Sequence, residues 1–376
     1  MASEQSTPRV NVHGLSKAEL CALMESMGER GYRGTQIYHA LYAERKFDFA
    51  AMTNLPAALR EKLACQATIA LPRIVRRHLS SDGTVRYVLA LDAGGEGDAG
   101  SEPEMRPANI EAVFMPEENR QTICISTQAG CAVNCQFCLT ATLGLVRNLT
   151  PGEIVGQVLV ALEDNRAQLK PQTNIVLMGQ GEPLLNYEAV IAALQILLDQ
   201  NGMAIAVRHA ALSTSGIIPG IERLAQEKLR PNLAISLNAS SNEQRDQIMP
   251  INRKYPLEKL LEACRKYPLR PREWLLFEYV MLGGFNDSPE DARRVVRLLS
   301  GIRAKVNLIP WNPGALPFDR PDRTRVEEFQ RILIDIGVMT FVRDSRGQDV
   351  MAACGQLALA EAAAAMPEAA AAEQRA

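Results

Sequence analysis

The chain has 376 residues, 47% of them hydrophobic, and a formal net charge of −2. That length allows one large domain plus a small one with a sizeable core, no stretch approaches the roughly 18 apolar residues of a membrane span, and the near-neutral charge gives no support for general nucleic-acid affinity. Eight cysteines are too sparse for a disulfide scaffold and favour metal or catalytic use in a reducing compartment. The polar start, Met1 to Pro8, lacks a signal-peptide apolar region, so a cytoplasmic location is the expectation.

Residues 1–13 read as a disordered leader and 14–66 as a small helical domain. Ser16-Lys-Ala-Glu19 is a capping box, and Leu20, Leu23, Met24 and Met27 give the helix it opens an apolar face. Further helices are predicted over 34–44 and 56–65. Cys21 and Cys65 read as packed small hydrophobes, and His39 as a helix-surface residue. The next region, 67–120, is strand-like and links the helical domain to the rest of the chain. It carries a basic cluster, Arg73, Arg76, Arg77 and His78, then a hairpin of Thr84–Asp92 and Asn109–Pro116. The Gly-rich, acidic stretch 93–108 reads as the exposed connection of that hairpin. Glu111, between Ile110 and Ala112, reads from pattern alone as a solvated strand carboxylate.

Residues 121–356 form a βα series. Strands are predicted at 122–126, 174–178, 209–213, 232–237, 275–282, 305–308 and 338–343, with helices between them. Thr150-Pro-Gly-Glu153 starts the first of these helices, with Thr as cap and Pro at the first position. Cys264 falls on an apolar stripe with Leu257, Leu260 and Leu261, and reads as core. Alternating strands and helices imply a parallel sheet. The fold class expected is α/β, a partial (βα)6 TIM-like barrel with a small N-terminal helical domain and a β-hairpin extension. Chemistry in such barrels gathers at the C-terminal ends of the strands, where the unusual motifs fall. The alanine-rich tail, 357–376, carries no assigned chemistry.

The most specific stretch is Cys131-Ala-Val-Asn-Cys135-Gln-Phe-Cys138. The spacing C-x3-C-x2-C suits a loop wrapped around one inorganic centre, and iron–sulfur clusters take thiolate ligands. Three local ligands leave one iron without a cysteine, open to a substrate or chelate. Structural zinc normally takes four ligands, so a zinc knuckle would lack its fourth.

With these residues in view the chain resembles the radical S-adenosylmethionine superfamily, and within it the RlmN branch, whose members methylate carbon-2 of adenine in 23S ribosomal and transfer RNA. The resemblance runs from about residue 14 to residue 358. It rests on the cysteine loop with Phe137 in its aromatic place and on Cys-Ile-Ser-Thr-Gln-Ala-Gly-Cys at 124–131. Gly-Glu-Pro-Leu-Leu-Asn at 181–186, Ser213-Thr-Ser-Gly216 and Met-Pro-Ile-Asn-Arg-Lys-Tyr at 249–255 continue it. Pro-Trp-Asn-Pro at 310–313 and Ala-Ala-Cys-Gly-Gln-Leu-Ala at 352–358 complete it. Two departures stand out: Asn238, where relatives often have histidine, and the long 93–108 insertion.

The resemblance implies that Cys131, Cys135 and Cys138 hold a [4Fe–4S] cluster whose fourth iron chelates S-adenosylmethionine. Gly181, Glu182, Ser213, Ser236, Asn238 and Asn312 would contact that cofactor, with Leu237 contributing through its backbone. It also implies a route using two cofactor molecules per turnover. Cys354, as thiolate, takes a methyl group from one. The other is cleaved reductively to a radical that activates the methyl on Cys354 for addition to the base. Glu111 removes the proton from the substituted carbon, and Cys124 attacks the sulfur of Cys354 to release RNA and leave a transient disulfide. An external electron donor resets the thiols. The adenine must be unstacked to be reached, and the helical domain with Arg76 and Arg77 would contact the RNA backbone. Alternatives are a carbon-8 adenine methyltransferase of the antibiotic-resistance type and a noncatalytic iron–sulfur RNA-binding protein. The oligomeric state is open, with a monomer as the default.

Overall fold

A two-residue strand, β1 (Val10–Asn11), precedes α1 (Lys17–Ser26), which begins where Ser16 and Glu19 close their reciprocal capping box. The structure, a computed structural model, describes residues 9–91, 108–343 and 345–358. Most of the predicted leader, the hairpin connection and nearly all of the tail lie outside the described residues. α2 (Tyr32–Tyr42) and α3 (Ala57–Gln66) come after α1, and β2 (Ala67–Thr68) pairs in parallel with β1. Leu20, Met24, Ile37, Leu41, Leu59 and Leu63 are buried among them. Cys65, expected to be packed, is exposed, and Cys21 is half-buried. The apolar stripe of α3 runs through Leu59 and Leu63, and Cys65 falls off it.

Three antiparallel strands come next: β3 (Arg73–Leu79), β4 (Val85–Leu91) and β5 (Ala108–Pro116). β4 and β5 are the predicted hairpin. β3 adds a third strand and carries Arg73, Arg76, Arg77 and His78 along the outer edge of the sheet. A register shift between Ile74 and Arg76 interrupts its alternation, as a bulge does, and hides it from a period-two reading. β5 then pairs antiparallel with β6 (Arg120–Cys124). This makes the hairpin continuous with the barrel sheet.

After β6, a small ribbon of β7 (Gln128–Gly130) and β8 (Leu145–Asn148) flanks the cysteine loop. The series continues with α4 (Pro151–Asp164), β9 (Gln172–Leu177), α5 (Tyr187–Leu198), β10 (Ala210–Thr214) and α6 (Ile218–Leu224). Beyond these lie β11 (Asn232–Ser236), α7 (Asn242–Ile248), α8 (Leu257–Lys266) and β12 (Leu275–Met281). α9 (Pro289–Leu299), β13 (Ala304–Pro310), α10 (Arg323–Asp335) and β14 (Met339–Val342) complete it. The ten-stranded sheet has the order β14-β13-β12-β11-β10-β9-β6-β5-β4-β3, and all pairs from β6 to β14 are parallel. These seven strands and their helical crossovers are the expected partial barrel. The short α7, inserted ahead of α8, has no counterpart in the predicted series.

The N-terminal helices dock on the start of α4 through a close backbone approach. Gly14 has φ +95°, and a Cβ there would lie 2.5 Å from the Cα of Gly152. Beside it the buried His13 donates from Nε2 to the Gly152 carbonyl at 2.8 Å, and Tyr42 accepts the Gly14 amide at 2.8 Å. Burial lowers His13 from its usual 6.5 to about 4, against the opposing pull of the Gly152 carbonyl. The unfolded chain therefore binds a proton near pH 6.5 that the folded chain refuses until about pH 4. Stability contributed by neutral His13 is full above pH 6.5 and falls between these values, by up to about 3 kcal/mol. Urea unfolding across this range should show the loss, and His13→Gln, which keeps a donor but cannot titrate, should flatten it.

Candidate active site

The strand ends of the barrel open onto a cavity of about 1040 Å3, its mouth included. Cys131, Cys135, Cys138, Gly181, Glu182, Ser213, Ser236, Asn238, Asn312 and Cys354 all line it. Parallel strands deliver these residues to one rim because each crossover returns the chain to the same end of the sheet.

The cysteine loop is anchored from several sides. The Cys131 amide donates to the Gly144 carbonyl at 2.8 Å and that of Gln136 to the Ile248 carbonyl at 2.9 Å. Trp311 donates from Nε1 to the Phe137 carbonyl at 3.2 Å. Among the described residues, no three His, Cys, Asp or Glu side chains converge on a site for a single ion. The three thiols line one cavity from a single loop. The donor set is all sulfur, the choice of iron–sulfur clusters. The residues therefore fit a cluster better than a lone zinc ion.

Opposite the loop, Glu182 is buried and accepts the Ser215 amide at 2.7 Å and the Leu184 amide at 3.1 Å. Burial raises its pKa, and the Ser215 bond opposes this. Gly181 lies at φ +98°, and a Cβ there would stand 2.6 Å from that of Gln128. Gln128 in turn accepts the Glu182 amide at 2.9 Å. Ser213 and Ser236 face each other with hydroxyls 3.5 Å apart. Asn238 adopts φ +56°, a left-handed conformation in which Asn and His are both enriched. Asparagine therefore suits this backbone position, as histidine would. Its Oδ1 accepts the Val280 amide at 2.9 Å.

Cys354 reaches the cavity on a segment tied to the loop and to β13. Leu139 donates its amide to the Gly355 carbonyl at 2.8 Å, Thr140 its hydroxyl to that of Leu357 at 2.6 Å, and Asn312 its Nδ2 to that of Cys354 at 3.2 Å. Ala352 and Leu357 pack with Val113 and the buried Cys124 in one apolar cluster. Both thiols are free. Burial pushes Cys124 up to about 12, and Cys354 adds to the rise. Cys354 is exposed on the cavity wall; its pKa is raised, by partial desolvation there first and then by the Glu278 carboxylate, with Arg343 opposing.

Three predicted site residues do not line the cavity: Cys124, Leu237 and Glu111. The two backbone groups of Leu237 are engaged, the N–H with the Glu278 carbonyl at 3.0 Å and the carbonyl with Arg245 Nε at 3.1 Å. Glu111 is fully buried, not the solvated carboxylate its pattern suggests. Arg86, itself buried, donates to its Oε1 at 2.7 Å, and Gln180 to its Oε2 at 3.3 Å. Strand register explains the burial. Val113 pairs with Cys124, so Glu111, two residues earlier, points to the same inner face.

Glu278 was not found from sequence. It lies on β12 between Ser236 and Asn307 in the register, lines the cavity and accepts from Asn307 Nδ2 at 3.1 Å. Burial raises its pKa. A single acid within the apolar run Leu275 to Met281 was the available signal, since an unpaired charge is rare in a buried strand.

The family model of the Radical SAM superfamily matches residues 125–299, and that of the ribosomal RNA large subunit methyltransferase N-terminal domain matches residues 10–69. The chain is 49% identical over 345 residues to a "Probable dual-specificity RNA methyltransferase RlmN" of Koribacter versatilis, covering 89% of this chain and 97% of that one. A dual-specificity RNA methyltransferase RlmN of Rhodospirillum rubrum is 45% identical over 368 residues, covering 95% and 82%. In structure the chain resembles a radical SAM methyltransferase from Sphaerobacter thermophilus with TM-score 0.84 and 40% identity, covering 93% of this chain and 99% of that one.

Gly181→Ala should destabilise the protein by about 1–3 kcal/mol, because it forces a side chain into a strained backbone region and against Gln128. Denaturant titration measures this, and an unchanged midpoint would mean that the Gly181 loop is free to relax.

Proposed function

The chain belongs to the RlmN family of RNA methyltransferases in the radical S-adenosylmethionine superfamily, and on that footing we propose that it methylates carbon-2 of adenine in 23S ribosomal RNA and transfer RNA through a methylated Cys354. The observation that carries this reading is the packing of the segment bearing Cys354 against Cys124, at the edge of the cavity lined by the three loop cysteines. When bound, a [4Fe–4S] cluster and two molecules of S-adenosylmethionine supply the electron, the radical and the methyl group. Cys131, Cys135 and Cys138 would hold the cluster. Gly181, Glu182, Ser213, Ser236, Leu237, Asn238 and Asn312 would shape the cofactor's seat, Leu237 and Glu182 mainly by fixing neighbouring strand ends.

The chain's own residues divide the remaining work. Cys354 must lose its proton to act as nucleophile, and its raised pKa makes that proton loss part of the cost of accepting a methyl group. Glu111 is the base for the substituted carbon. Its bond to Gln180, at 3.3 Å, is longer than its bond to Arg86, at 2.7 Å, and is the one an incoming adenine would displace. Cys124, as thiolate, then attacks the sulfur of Cys354: an S–S bond forms, the bond from sulfur to the base's new carbon breaks with its electron pair going to that carbon, the carbon takes up a proton to become the methyl group, and the product leaves. An external reductant restores both thiols. The RNA meets the protein in a single-stranded or opened region, and an enzyme acting on ribosomal and transfer RNA would work in the cytoplasm. Among the described residues no helix is long and apolar enough to cross a membrane.

Anaerobically reconstituted protein, methyl-labelled cofactor and each RNA test the activity. Label at carbon-2 of adenine is expected, whereas label at carbon-8, or none, overturns the assignment. Cys124→Ala should still methylate Cys354 and should accumulate protein covalently joined to RNA, visible as a shifted band in a denaturing gel. Normal product release by that variant would remove Cys124 from the resolving step. Cys354→Ala should neither accept a methyl group nor crosslink, and RNA methylation by it would refute the carrier role.

A further inference from the structure

Arg245 heads the large side chains that are fully buried among the described residues. It sits on α7, the short helix between β11 and α8. Its Nε donates to the Leu237 carbonyl at 3.1 Å and its Nη1 to Asn252 Oδ1 at 3.1 Å. Nη2 donates to the carbonyls of Ser215 at 2.7 Å and Ser236 at 3.0 Å. Every acceptor is a neutral oxygen. Among the described residues, no carboxylate stands within ion-pair distance of the guanidinium. The neighbouring acid, Asp246, accepts from Asn252 Nδ2 at 2.7 Å.

A buried charge without a counter-ion is costly even when its hydrogen bonds are made. Burial draws Arg245 down to about 10, which still leaves it cationic at neutral pH. Cys264 on α8 and Asp246 on its own helix lie near it, and α7 packs against the cysteine loop: the Ile248 carbonyl accepts the Gln136 amide at 2.9 Å, and Ile248 packs with Cys135 and Cys138. Cys264 is a core thiol that burial pushes up to about 12, so it is neutral. Cys135 lines the same cavity as Ser215 and Ser236, whose carbonyls the guanidinium holds.

We infer that Arg245 is the buried counter-charge of the cysteine loop and the strut of the cofactor seat. Its guanidinium offsets the negative charge of a thiolate-bound cluster at Cys135. Its hydrogen bonds hold the carbonyls of Ser215, Ser236 and Leu237, at the ends of β10 and β11, in one plane of donors. This rests on the reading that Cys131, Cys135 and Cys138 carry the cluster. One-electron reduction of the cluster adds negative charge beside a fixed cation in a poorly screened interior. Arg245 therefore stabilises the reduced state and holds the reduction potential higher than it would otherwise be.

The test moves the charge while keeping the arginine. Asp246→Asn combined with Asn252→Asp leaves net charge unchanged and exchanges donor and acceptor between positions 246 and 252. It also brings a carboxylate onto Nη1 of Arg245. In the reconstituted holoprotein, with iron and sulfide contents matching wild type, a potentiometric titration followed by electron paramagnetic resonance should give a more negative midpoint. Arg245→Gln should shift it the same way, and Arg245→Lys, which keeps the charge, should stay nearer wild type. If Arg245→Gln does not fold, the exchanged pair still decides, since it retains the guanidinium. A wild-type midpoint in the loaded exchange variant overturns the counter-charge role alone. Wild-type protein that takes up no iron and sulfide removes the cluster reading, and this inference with it.

Discussion

Ser126 donates its hydroxyl to the Glu111 carbonyl at 2.6 Å and accepts the Gln180 amide at 2.9 Å. Through this one side chain the antiparallel strands, the end of β6 and the Gly-Gln-Gly-Glu-Pro loop share a single position. The Ser126 backbone is held as well, by Gln157 from α4, whose Oε1 takes its amide at 2.8 Å and whose Nε2 meets its carbonyl at 2.9 Å. All four residues are buried or nearly so, and buried polar groups must be satisfied to be tolerated. The network therefore specifies how the two halves of the ten-stranded sheet meet. It also keeps Glu111, Cys124 and Gly181 in fixed relation.

The wall that carries Cys354 is built differently. Its segment crosses the sheet end in a chain of hydrogen bonds, without a regular strand. Arg346 donates from Nε to Asp82 Oδ2 at 2.9 Å, and Ser80 donates its hydroxyl to Asp349 at 2.6 Å. These clasp the segment to the turn between β3 and β4. Bonds from Leu139, Thr140 and Asn312 hold its other end. Between the two anchors, Met351 and Gly355 take positive φ values of 52° and 81°, sharp turns that lift Cys354 toward the cavity. The antiparallel extension thus serves the cavity by fixing where the segment that bears Cys354 begins. That is a use of β3 and β4 which their sequence does not advertise.

Much of this was legible in the residues. Local rules act over a few positions, so the capping boxes at Ser16 and Thr150 appear as expected. The alternation of strands and helices from Gln121 onward implies a parallel sheet, and a parallel sheet puts strand ends on one rim. The cysteine spacing is itself local, because three thiols within eight residues must share one loop. Glu111 shows where local reading stops. A lone acid between two apolar residues suits a solvated edge, yet here β4 supplies Arg86 from across the sheet. Glu278 was missed for a related reason, since its partners Ser236 and Asn307 come from other strands.

By itself, then, the sequence determined the alternation of strands and helices, the barrel class and the cysteine loop, because each arises from contacts between near neighbours in the chain. It also carried the family resemblance, through motifs that keep their order along the chain. Only the tertiary structure decided that the residues flanking Cys354 pack on Cys124, that β3 extends the sheet, and that Arg245 lies buried beside the cavity with neutral acceptors. Those outcomes depend on strand register and on which distant segment closes over the sheet end. Such contacts are set by the packing of the whole core, and no window of the sequence contains both of their partners.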